Sequence, residues 1–224
     1  MRKLPALLTL SAALALPLAA MAAPGDTDIS KVNGSITVAD GGRQGELNTV
    51  NGSIRIGSNA RVGEASTVNG SVRIGDSVQT GDLGTVNGGI RMGRNVTVNG
   101  NIETVNGSIF VDRGGNVRKD ISTVNGGIGL VDTDVAGGIE TVSGDTTVGV
   151  GSHVRGGIHY QKPGKVWFSM RQRDPRVVIG PNARVDGPLV FERDVELLVH
   201  RSAVIGPVTG ATAVAFDTPT PPAR

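Results

Sequence analysis

Short alternations of apolar and polar residues dominate this chain. Ser53-Ile54-Arg55-Ile56, Ser71-Val72-Arg73-Ile74 and Gly89-Ile90-Arg91-Met92 each point side chains alternately in and out, the signature of a strand with one buried face. Their residues are β-branched and bounded by glycine, which favours strand over helix. Each alternation follows a copy of Thr-Val-Asn-Gly or a close variant. The asparagines of these copies stand at Asn33, Asn51, Asn69, Asn87, Asn106 and Asn125, and Ser143-Gly144 takes the next place. The steps are 18 or 19 residues. A fixed period in this range marks a solenoid. A finer count of six runs inside it, through Val50, Ile56, Val62 and Val68 to Val98, and after one-residue shifts before Val105 and Val124 it continues to Val154.

The pattern therefore predicts an all-β chain: a single parallel β-helix, a β-solenoid with coils of about 18 residues. Asn-Gly closes tight hairpins elsewhere. Here the count of six continues across it, so it reads as the corner of a coil. Stacked coils put like on like, roughly 4.8 Å apart. Asn33, Asn51, Asn69, Asn87, Asn106 and Asn125 are expected to form a structural ladder of side-chain amides. Ile54, Val72, Ile90, Ile109 and Ile128 are expected to form an aliphatic column.

Residues 1–22 read as a signal peptide. Arg2 and Lys3 precede an apolar run, and Ala20-Met21-Ala22 is a cleavage motif. The expectation is cleavage after Ala22, a periplasmic or secreted protein, and no transmembrane anchor. Cysteine is absent, which excludes disulfides and thiolate metal sites. Of 22 Lys and Arg, Arg2 and Lys3 leave with the signal, so 20 basic residues face 20 acidic ones. That balance argues against nucleic acid as a partner.

The solenoid is expected over 23–209, with the Thr-Val-Asn-Gly repeats at 30–159. Residues 160–176 break the rhythm as an excursion, 177–209 resume as C-terminal coils, and the Pro-rich 210–224 reads as a disordered tail. Two surfaces stand out as binding candidates. Arg55, Arg73 and Arg91 recur at one outward place in three successive coils. They read as a basic stripe for an anionic polymer or as a plain solvated face. The excursion gathers Tyr160, Trp167, Phe168, Arg171 and Arg173. It reads as a binding loop or as rings packed across the solenoid flank.

No catalytic residue and no metal or cofactor site is recognisable. His153, His159 and His200 are the only histidines, and no metal-binding or nucleophile motif occurs. Asp112, Asp120, Asp132, Asp134 and Asp145 lie close in sequence. Paired carboxylates serve glycoside chemistry, so a polysaccharide lyase or hydrolase stays as an alternative.

Val178–Leu189 and Ser202–Gly206 resemble the bactofilins, polymer-forming bacterial proteins. The Thr-Val-Asn-Gly region looks like the secreted, adhesin-type β-helical repeat proteins. Both resemblances imply a parallel, right-handed β-helix, and the first implies end-to-end assembly and a role in the cell envelope. Bactofilins are typically cytosolic, whereas this chain carries a signal. Left-handed hexapeptide acyltransferases also have coils near 18 residues. They want a small residue where this chain has Ile54, Val72, Ile90, Ile109 and Ile128, which argues against that family and that hand. The expectation is a secreted, non-enzymatic structural or adhesive rod that self-associates through its ends. The alternative is a module for anionic envelope or extracellular polysaccharide.

Overall fold

The computed structural model describes residues 26–163 and 173–223. Among these residues there are strands and turns and no helix. The strands form three parallel sheets of ten, ten and nine strands, and each strand pairs with its equivalents in the coils before and after. One coil is typified by Leu47–Asn51 in the first sheet, Ile54–Ile56 in the second and Arg61–Val62 in the third. The molecule is a parallel β-solenoid of about ten coils.

Register follows the repeat, because a slip of one residue would turn every apolar side chain outward. Ile54, Val72, Ile90, Ile109 and Ile128 are successive partners, and all are buried. Leu47, Ala65, Leu83, Ile102, Ile121 and Ile139 stack in the same way in the first sheet. No coil has a core of its own, so burial is supplied by the neighbours above and below.

The interior also holds a polar column. Thr49, Thr67, Thr85, Thr104 and Thr123 are buried. Each donates its hydroxyl to the carbonyl of the corner glycine one coil earlier, at 2.8–3.3 Å. The valine of the motif faces out instead: Val50 is exposed, and Val68, Val86, Val105 and Val124 are half-buried. The count of six marks inward positions in the second and third sheets, at Ile56, Val62, Ile74 and Thr80, but misses by one in the first. Strand parity decides, since Thr49 lies two residues after buried Leu47.

The corner requires glycine. A Cβ on Gly52, Gly70, Gly88, Gly107 or Gly126 would collide with the carbonyl of the corner glycine in the preceding coil. The second turn of most coils carries a left-handed residue. Asn59, Ser77, Asn95, Asp132 and Asn182 have φ between 44° and 59° there, a region that asparagine tolerates better than most side chains.

Two boundaries differ from those expected. Tyr160 ends the strand Ile158–Tyr160, and Arg176 begins the strand Arg176–Ile179, so the excursion is confined to residues 161–175. The expected disordered tail at 210–224 contains a strand, Ala213–Phe216, paired with Glu196–His200. Val178, Leu198 and Phe216 form a small apolar cluster outside the main core. Arg176 donates to the Pro222 carbonyl, so the chain after Phe216 turns back across that side. The Pro-rich composition hid a short apolar strand with a surface to cover.

Candidate functional site

The asparagine ladder lies at the exposed corner between the first two sheets. Each side-chain amide donates to the side-chain oxygen one coil earlier, from Asn51 to Asn33 and onward to Asn125 to Asn106, at 2.9–3.1 Å. Every member both donates and accepts along the stack, apart from the two at the ends. Ser143 follows Asn125 in register and carries no amide.

The excursion leaves the solenoid at this same corner, one coil further on. In that coil no Asn-Gly links the first sheet to the second. Arg193, from the next coil, reaches back across the gap. Its Nη1 donates to the Val142 carbonyl at 2.9 Å and to Ser143 Oγ at 3.1 Å. A cleft of about 290 Å³ lies here, lined by Ser143, Asp145, Arg173, Pro175 and Arg193 among others. Arg173 stands 3.6 Å from Asp145. Trp167, Phe168 and Arg171 lie outside the described residues.

Tyr160 is corrected from binding surface to core. It is 0 % exposed and occupies the inward place of Thr141 in the next coil. Its hydroxyl donates to the Gly144 carbonyl at 2.9 Å and accepts from Thr146 Oγ1 at 2.6 Å, continuing the threonine column with a longer arm. Burial pushes its phenol well above the ordinary range. Its ring packs 5.6 Å from that of Phe191. Its parity, two residues after Ile158, was the signal available in the sequence.

Arg55, Arg73 and Arg91 are brought together. They are direct partners on the outer face of the second sheet, and all three are exposed. Among the described residues none has a carboxylate within ion-pair distance. Phe110 takes the next place, and Arg91 lies over its ring at 4.6 Å from the centroid, a cation–π contact. Gly129 follows, where a Cβ would sit 3.3 Å from the Phe110 ring. A shallow cleft of about 170 Å³ opens beside Ser35, Ser53, Arg55 and Arg73.

The acidic residues are not gathered into one site. Asp112 and Asp132 lie in turns, Asp120 at a corner, Asp134 on the third sheet, and Asp145 before the second sheet. Glu64 and Glu103 flank the corner that holds Asp82. Their carboxyls are raised, chiefly by burial and then by neighbouring carboxylates. Among the described residues no group of three His, Cys, Asp or Glu is arranged to hold a metal ion. No helix among them is long and apolar enough to cross a membrane.

Two histidines link the coils on either side of the excursion. His153 Nε2 lies 2.7 Å from Asp186, and His159 Nε2 lies 3.1 Å from Glu192. Asp186 also pairs with Arg184, and Asp134 pairs with Arg155 at 2.9 Å. The His153 bond, then the Arg184 bond, hold the Asp186 carboxyl below the usual range. The Lys162 amide, then His159, do the same for Glu192.

Compared with protein-family models, with curated proteins and with solved structures, the chain matches none.

Proposed function

We propose that this protein is a secreted, non-enzymatic structural or adhesive rod of the bacterial cell envelope, joined to further copies through its ends. The signal-like residues 1–22 and the resemblance of Val178–Leu189 to bactofilins support that setting. The observation that carries the reading is the contrast between the two ends of the solenoid. In the first described coil Ile36 and Val38 are buried apolar residues, but two inward places are polar. Lys31 replaces the threonine, with Nζ donating to the Ser35 carbonyl at 2.9 Å, and Gln44 stands opposite Val62 of the second coil through Arg43–Gln44 pairing with Arg61–Val62.

The last coil is apolar. Ile205 and Val208 are only partly buried, and Ala213 and Ala215, which continue the inward columns of Leu197 and Val199, are exposed. Its strands present an unpaired edge, which is a template for another chain. A second copy placed on this end would continue the sheets and cover these residues.

The test is sedimentation equilibrium over a wide concentration range, comparing the wild type with an Ala213→Lys/Ala215→Lys variant. The expected result is concentration-dependent association that the variant reduces at unchanged circular dichroism. A wild type that stays monomeric throughout sinks the reading.

A second reading, a module for anionic polysaccharide, is favoured by the arginine column. Its three exposed cations stand in register without acidic partners.

A further inference from the structure

We infer that the Arg55–Arg73–Arg91 column is a track for a linear polyuronate lying parallel to the solenoid axis, its near-side carboxylates held by the guanidinium groups. This rests on the polysaccharide-binding reading and assigns its ligand class.

The placement is set by the fold. Parallel in-register pairing fixes the three arginines on one line down the outer face, about 4.8 Å apart at their backbones. Adjacent like charges at that spacing repel by on the order of 1 kcal/mol in water. The structure does nothing nearby to offset this. The adjoining serine row is occupied in stacking, with Ser35 Oγ accepting from the Ser53 amide and Ser53 Oγ from the Ser71 amide. In the turn column on the other side, Asp40 and Asp76 accept from the amides of Ser58 and Arg94 one coil on. Among the described residues the N–H edges of these guanidinium groups have no hydrogen-bond partner, the face of Arg91 alone being taken by Phe110, and such forks match carboxylates two bonds at a time.

Periodicity selects the ligand. An extended, equatorially linked uronan advances by close to one coil spacing per sugar. In its two-fold form alternate carboxylates face opposite sides, so those facing the protein fall two coils apart. Arg55 and Arg91 are two coils apart, and Arg73 lies under the sugar between them. Duplex DNA repeats its phosphates about every 3.4 Å along each strand and falls out of step within the column. Phe110 continues the row, with its ring set against Arg91 and over Gly129. It gives the next sugar an apolar platform where the charge ends.

The experiment is calorimetric titration of the purified protein with three probes at low and at raised salt. The probes are a β-1,4-linked mannuronate hexamer, whose sugars are joined equatorially, its full methyl ester, and dextran sulfate of similar length. The variants are Arg55→Gln/Arg73→Gln/Arg91→Gln and a charge-matched control, Arg43→Gln/Arg61→Gln/Arg118→Gln, each first checked for an unchanged melt. The expected result is hexamer binding that weakens with salt, falls at least tenfold in the column variant and holds within twofold in the control. The ester is expected not to bind. Column-dependent binding of dextran sulfate without binding of the hexamer overturns the uronate assignment and leaves the polysaccharide reading standing. Binding lost equally in both variants, or no binding of either anion, overturns both.

Discussion

At the scale of the residue, the buried threonine is the least replaceable part of the Thr-Val-Asn-Gly motif after its glycine. Thr85 Oγ1 donates to the Gly70 carbonyl at 2.9 Å from inside the core. Removing a buried donor while keeping side-chain shape costs about 1–3 kcal/mol. Thr85→Val is therefore expected to destabilise by that amount in denaturant unfolding, although valine is the better strand former. An unchanged midpoint would show that the threonine column is incidental. This column was legible in part. The strand parity from Leu47 to Thr49 points the threonine inward, but a count of six through the valines pulls the other way. The sequence does not say which of two adjacent β-branched residues the strand buries. The asparagine ladder was legible because identical residues recur at the period itself. Tyr160 was legible only through its parity with Ile158, a signal outweighed by the basic stretch that follows it.

Among elements, the corner at the excursion behaves differently from the others. Where Asn-Gly is missing, the coils on either side are tied by side chains instead: Arg193 to Val142 and Ser143, His153 to Asp186, His159 to Glu192. These ties make this junction the acid-sensitive part of the rod. Asp186 and Glu192 have lowered carboxyl pKa values in the folded state. Their contribution is present above the ordinary carboxylate range and is lost as pH falls through their lower folded values. Glu64 and Glu103, raised in the folded state, act with the opposite sign and are relieved by the first protons. An Asp186→Asn/Glu192→Gln variant is expected to lose part of the acid limb of the melting-temperature profile below the ordinary carboxylate range. A profile parallel to wild type across that range would contradict this assignment. The sequence showed that the rhythm breaks here. It did not show that the break falls at a corner, since both flanking strands, Ile158–Tyr160 and Arg176–Ile179, lie at its edges.

For the whole molecule, a period of 18 or 19 residues was enough to specify a parallel β-solenoid, because each coil is stable only against its neighbours. The last strand was missed, as Ala213–Phe216 is brief and followed by Pro-rich sequence. Its pairing with Glu196–His200 extends the second sheet and makes the final coil the apolar end. The central claim is that this end joins copies into longer rods. Negative-stain microscopy of the protein from Ala23 onward, across concentration, tests it most directly. About ten coils at roughly 4.8 Å each make a single rod of about 50 Å. The account predicts particles of one solenoid width whose lengths fall at multiples of that value and grow with concentration. Single short rods at every concentration would contradict it.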